Sequence, residues 1–212
     1  MGYQLKYCVR KGLVKKSRLS GFPTNWRRFL SSVFFTVLEI FAAKMNIFDS
    51  LLTKWREPWL SREIQMLNIS PSEKVLHLGC GAFPSASISI AKKKKIHVVG
   101  IDNNYIAMTL AYSYIKKKHL SDVVTIEYGD GTNYPVQDFD IIYIAINVWP
   151  IDQVLLHLAQ TIKPTARILC KGSHQDINGL LMNKELQSQF SVSSTTGNRK
   201  NQSFLLIKNV NI

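Results

Sequence analysis

From Ser70 onward, the hydrophobic and polar positions alternate between two periods. Lys74–Leu78 is a short run of β-forming residues that stops at Gly79, and Ile96–Ile101, Val123–Tyr128, Phe139–Ala145 and Ala166–Cys170 repeat the form. Between these runs, Ser85–Lys95, Tyr105–Lys118 and Ile151–Ile162 have the length and spacing of helices. Pro84 suits a first helical turn, where a missing N–H costs nothing. Lys116, Lys117 and Lys118 suit the negative end of the helix they close. Strands that are apolar throughout and separated by helices belong in a parallel sheet covered on both faces. Right-handed crossovers then predict an α/β, doubly wound domain. In such sheets ligands lie beyond the carboxyl ends of the strands. That rule selects four loops: Gly79–Pro84, Asp102–Asn104, Gly129–Asn133 and Asn147–Pro150.

The part before Ser70 is organised differently. Residues 1–28 carry eight basic side chains and no acidic one, which leaves 19 basic against 14 acidic in the rest of a chain with formal charge +13. Such an arm suits phosphates, whether of RNA or of an anionic membrane surface, or stands as a solvated terminus. Phe29–Ala43 follows as an apolar stretch of about 15 residues, shorter than the roughly 20 needed to span a bilayer. Glu39 interrupts it, and the preceding basic region is too long for a secretory signal. It reads as a helix packed on the main domain, or one lying in a membrane interface. With 46% apolar and 19% charged residues the chain fills a core, which excludes disordered and collagen-like classes. Cys8, Cys80 and Cys170 form no CxxC pair, so no structural metal is expected from them, and their odd number favours a reducing cytosol.

The four loops agree with one another. Gly79-Cys80-Gly81 permits a tight turn and close approach of backbone to a ligand, although Pro84 stands where a dinucleotide fingerprint has its third glycine. Asp102 ends the second strand, 21 positions after Gly81, where an acid can accept from the hydroxyls of a ribose. Asn103 follows it. In Gly129-Asp130-Gly131, Asp130 either accepts from an adenine amino group or simply makes a turn with Gly131. A nucleoside held by its ribose at Asp102 and its base at Asp130 fits better than a nicotinamide dinucleotide.

The runs Val75-Leu76-His77-Leu78-Gly79-Cys80-Gly81, Gly100-Ile101-Asp102, Gly129-Asp130-Gly131, Phe139-Asp140-Ile141-Ile142 and Ile162–Leu169 resemble the successive motifs of class I S-adenosylmethionine-dependent methyltransferases. The resemblance spans about residues 70–210. It implies a Rossmann-like sheet of seven strands, whose C-terminal antiparallel hairpin would come from Phe190–Thr196 and Ser203–Lys208. It also implies that Gly79, Cys80 and Gly81 hold the methionine portion of the cofactor, Asp102 with Asn103 the ribose, and Gly129, Asp130 and Gly131 the adenine. Gly79–Ile88 is further similar to the Gly-rich, Pro-containing loop of nicotianamine synthases, as are Lys171–His174 and Asn201–Lys208 to late segments of that family. Glu63 occupies a position like the glutamate of that family's helix before the sheet. The domain organisation expected is a basic arm over 1–28, a helical extension over 29–69 covering the cofactor cleft, and an S-adenosylmethionine-binding catalytic domain over 70–212.

A sulfonium makes each attached carbon electrophilic. Attack on the methyl gives methylation, and attack on the methionine γ-carbon gives aminocarboxypropylation; alignment of the acceptor decides between them. Glu63 is the first candidate for acceptor binding or proton removal; the alternative is an exposed helix carboxylate paired with Arg62 or another nearby base. His174 is the second catalytic candidate, and Asn147 with Trp149 are candidates for the acceptor pocket. His77, inside the first strand, reads as a packed histidine. The expected activity is transfer of a methyl group to a small-molecule acceptor, in the cytoplasm or peripherally at a membrane. The alternatives are nicotianamine-synthase-like transfer to an amine, or methylation of lipid or RNA gripped by the basic arm.

Overall fold

In the computed structural model, residues 46–146, 148–172, 179, 182–198 and 201–209 are described. The basic arm, the apolar stretch Phe29–Ala43, Asn147 and His174 therefore lie outside the described residues. The first described element is a helix, α1 (Asn46–Leu67), which contains Pro58. The alternating part then runs β1 (Val75–Leu78), α2 (Ser85–Lys94), β2 (Val98–Asp102), α3 (Tyr105–Lys117), β3 (Val124–Tyr128), β4 (Ile141–Ile144), α4 (Ile151–Thr161) and β5 (Arg167–Gly172). A short helix, α5 (Lys184–Gln189), leads into β6 (Phe190–Asn198) and β7 (Asn201–Lys208).

The seven strands form one sheet in the order β3-β2-β1-β4-β5-β7-β6. The first five are parallel, and β7 runs antiparallel to both β5 and β6. The doubly wound sheet and its C-terminal hairpin are as the sequence predicts, with element ends displaced by about two residues at most. Two local details differ. Pro84 sits just outside α2 at φ −76°, ψ 54°, and Ser85 opens the helix. The six-residue α5 is too short to show a period and is absent from the sequence reading.

Alternate strand residues enter two cores. Val75, Ile141, Tyr143 and Leu169 meet α1, α2 and α3 on one face, where Leu60, Ile64 and Leu67 of α1 are buried. Leu76, Leu78, Ile142, Ile144, Ile168 and Cys170 meet α4 and α5 on the other. The helices change face because the strand order reverses at β1, flanked by β2 on one side and β4 on the other. A crevice opens at the carboxyl ends of strands at such a reversal. The predicted ligand loops converge there.

Candidate active site

The crevice is a cavity of about 880 Å³. Gly79 and Gly81 turn the chain away from β1 at φ +70° and +67°, a region that other residues enter at a cost of about 1–2 kcal/mol. A Cβ on Gly79 would stand 2.6 Å from Val148 Cγ2, so the loop also needs glycine for space. The N–H groups of Gly79 and Cys80 both donate to the Ile101 carbonyl, at 2.9 and 3.0 Å. The Cys80 side chain is buried.

Asp102 joins this loop to β2. Its Oδ2 accepts from the Gly81 N–H at 2.8 Å, and its Oδ1 from the Asn104 N–H at 2.9 Å. Burial raises the Asp102 carboxyl above its ordinary range, and the two backbone donors oppose that rise. Each oxygen keeps acceptor capacity toward the cavity, as two vicinal hydroxyls require. Asp130 lies across the opening. Its Oδ1 accepts from the backbone N–H and hydroxyl of Thr132 at 2.9 and 2.8 Å, and its carbonyl accepts from the N–H groups of Asn133 and Tyr134. The Thr132 backbone, the Thr132 hydroxyl and the Asn103 side chain hold the Asp130 carboxyl below the usual range. Asp130 thus shapes its turn and lines the cavity with Gly129 and Gly131.

The cradle suits an adenosyl sulfonium on its own geometry. It offers positive-φ glycines with no room for a Cβ at the first, a carboxylate facing inward from the second strand, and a second carboxylate beyond it. Among the described residues no three His, Cys, Asp or Glu side chains converge as metal ligands.

On the other wall, Glu63 of α1 is 3% exposed and gathers three donors. The Tyr143 hydroxyl donates to its Oε2 at 2.5 Å, and the Ser203 hydroxyl to its Oε1 at 2.6 Å. Lys171 Nζ stands 2.8 Å from Oε1 and also donates to the Tyr143 hydroxyl at 3.3 Å. Glu63 is thus buried rather than exposed, and the base paired with it is Lys171; the Arg62 guanidinium stands 5.8 Å above the Trp59 ring. Burial and the Glu63 charge raise the Tyr143 phenol well above its ordinary range, so it stays a donor. Strand pairing builds the group: Lys171 of β5 lies opposite Ser203 of β7, and Tyr143 lies on the next strand, β4. Three charge-assisted contacts on a carboxylate with about four lone-pair sites leave Glu63 room for one further N–H donor from the cavity.

His77 of β1 packs its ring edge on Tyr143 at 4.9 Å, and its Nδ1 is 2.8 Å from the Ser87 hydroxyl. Burial and the Lys171 charge lower its pKa to about 3, so it is neutral. Trp149 lies at the mouth, 69% exposed. Arg56 of α1 also lines the cavity, donating to the Ser85 hydroxyl at 3.2 Å. The sequence gives no site role to Tyr143, Lys171, Ser203 or Arg56, although Lys171 and Ser203 fall in the segments similar to nicotianamine synthases. A phenol inside an otherwise apolar strand was the one signal available, since a buried hydroxyl needs a partner.

Comparison with known proteins gives a consistent picture. The family model for protein-L-isoaspartate(D-aspartate) O-methyltransferase (PCMT) matches residues 58–192. Phosphoethanolamine N-methyltransferase 1 of Arabidopsis thaliana is 35% identical over 82 residues, 38% of this chain and 16% of that protein. Phosphoethanolamine N-methyltransferase of Triticum aestivum is 27% identical over 123 residues, 56% of this chain and 23% of that protein. The chain thus spans under a quarter of the length of these curated relatives. Among solved structures, a glutamate-to-glutamine mutant of MtNAS in complex with S-adenosylmethionine has a TM-score of 0.70 at 18% identity, covering 86% of this chain and 76% of that one. At that identity the likeness is one of fold.

Proposed function

The chain belongs to the protein-L-isoaspartate(D-aspartate) O-methyltransferase family, within the class I S-adenosylmethionine-dependent methyltransferase superfamily, and we propose that it methylates a small-molecule acceptor, an amine by its likeness to the phosphoethanolamine N-methyltransferases. The observation that carries the proposal is Asp102, whose carboxylate is tied to the Gly81 N–H of the first loop and faces the same cavity as Asp130 and Glu63. S-adenosylmethionine supplies an electrophilic carbon beside its sulfonium. Gly79, Cys80 and Gly81 would hold its methionine portion, Asp102 and Asn103 its ribose, and Gly129, Asp130 and Gly131 its adenine. The lip formed by Trp149 would exclude water on the acceptor side.

Glu63 would accept an N–H of the acceptor amine on its remaining lone pair and so orient the nitrogen for attack. Lys171, Tyr143 and Ser203 hold that carboxylate in one place, which matters because alignment alone supplies much of the acceleration in such displacements. An amine that arrives neutral needs no dedicated base, and Glu63 in this role binds the nucleophile. Its position before the sheet also favours a second reading, in which the same geometry presents the amine to the γ-carbon of the methionine arm.

Turnover with a panel of small amines, phosphoethanolamine included, separates the two readings by product. Methyl transfer releases S-adenosylhomocysteine, and aminocarboxypropyl transfer releases methylthioadenosine. The cofactor site has its own calorimetric test. Asp102→Ala removes hydrogen bonds to a charged acceptor, each worth about 1.5–3 kcal/mol, so S-adenosylhomocysteine should bind at least tenfold more weakly. Unchanged affinity in a folded variant would remove Asp102 from the site.

A further inference from the structure

The end of the molecule opposite the cavity carries a second feature. α2 closes with Lys92, Lys93 and Lys94 and is capped by Lys95, while α3 closes with Lys116 and Lys117 and is capped by Lys118. These two helix ends are neighbours. From them the chain enters β2 and β3, which are paired with Val98 opposite Val124. His97 and Thr125 join the two strands just beyond the helix ends through a 2.9 Å contact of Nε2 and Oγ1. Both helices lie on the same face of the sheet, so their lysines form one corner.

The composition of this corner exceeds what the helices need. The favourable interaction of a cation with a helix C-terminus fades within the last turn, and one or two lysines satisfy it. Seven lysines at adjacent ends repel one another. Lys93 is bridged to Glu57 and Lys118 stands over the Tyr114 ring. Among the described residues, Lys92, Lys94, Lys95, Lys116 and Lys117 have no acidic side chain at ion-pair distance. Lys92, Lys93, Lys95, Lys116 and Lys117 are exposed, and Lys94 and Lys118 are half-buried.

We propose that this lysine corner docks the protein on an anionic lipid surface, with the cavity turned away from the bilayer toward water. The type of cation argues for lipid over nucleic acid. Every basic side chain at the two helix ends is lysine, a compact charge suited to a diffuse anionic surface. None is arginine, whose planar fork grips individual phosphates and stacks on bases. Stacking platforms for a single strand are also missing from this corner among the described residues. The exposed Tyr105 and Tyr128 stand at the opposite end, at the start of α3 and the end of β3, and Tyr112 lies midway along α3. The inference stands apart from the transfer reaction, because it concerns neither the cavity nor its ligands.

Flotation of the full chain on phosphatidylcholine vesicles, with and without phosphatidylserine, tests it. The wild type should float only with phosphatidylserine, and added salt should release it. A variant with Lys92, Lys94, Lys116 and Lys117 all changed to glutamine should partition at least about 100-fold more weakly, since each lysine near such a surface is worth roughly fivefold. A matched variant with Lys6, Lys11, Lys15 and Lys16 changed to glutamine should lose less, and changing the four corner lysines to arginine should retain binding. A thermal melt shows that each variant is folded. Failure of the wild type to float, or flotation unaffected in the corner variant, would overturn the proposal. So would flotation lost only through the arm variant, or a corner that binds RNA but not vesicles.

Discussion

Replacing Lys171 with methionine tests how the wall around Glu63 is held. Glu63 is 3% exposed and Lys171 is 25% exposed, so the two partners do not lose the same thing when the other is removed. At 2.8 Å the bare attraction is about 6 kcal/mol with an effective dielectric constant near 20, and desolvation of the carboxylate offsets most of it. Lys171→Met leaves Glu63 buried with only the Tyr143 and Ser203 hydroxyls. Stranding one charge of a buried pair costs about 3–5 kcal/mol, and the partial exposure here lowers the expected loss to about 2–4 kcal/mol. Glu63→Gln is milder, about 1 kcal/mol, because its amide keeps hydroxyl partners and Lys171 reaches water. The double variant should be more stable than Lys171→Met alone. Urea unfolding of the four proteins gives the cycle directly, with stability read from midpoint and slope. Equal losses in the two single variants, or a coupling below about 0.5 kcal/mol, would refute the claim that Lys171 neutralises a buried carboxylate.

Two further outcomes follow from the same wall and from the first loop. His77 binds a proton in the unfolded chain below pH 6.5 but not in the folded one until about pH 3, so stability should fall as pH drops between these values. The loss from pH 7 to 5 is about 2 kcal/mol from this group, and His77→Gln should remove that component from urea unfolding curves. Gly79→Ala places a side chain at φ +70° and against Val148. It should cost about 1–3 kcal/mol in a thermal melt and weaken S-adenosylhomocysteine binding at least tenfold in calorimetry, whereas a loss of neither would mean that the loop relaxes freely.

The sheet was legible because each strand is a short apolar run bounded by glycine, proline or polar residues, and buried parallel strands must be of that kind. The hairpin was less so: its two strands came from family resemblance, and the place of β7 between β5 and β6 was not read at all, since no local pattern orders two antiparallel strands. Within the site, Gly79, Gly81, Asp102 and Asp130 were visible from spacing, because each sits where a strand ends and the chain must turn. The wall around Glu63 was not. Its contacts join Tyr143 across 80 positions and Ser203 across 140, and they exist only through the pairing of β4, β5 and β7. Lys171 looks in sequence like the polar end of a strand. Its neutralising role depends on a helix that ends more than a hundred positions earlier, at Leu67.

The place of β7 has a consequence for how the protein comes into being on the ribosome. A nascent chain that has emerged only as far as β6 holds every strand that flanks the glycine and aspartate loops of the cavity, yet β5 still has a bare edge and Glu63 still lacks the Ser203 hydroxyl. The final strand pairs with β5 and gives β6 its neighbour in the sheet, closing that edge and completing the wall around Glu63 in one event. Until it does, the exposed edge of β5 invites pairing with other chains. The fixed geometry of the Glu63 carboxylate is therefore acquired last, together with protection from aggregation.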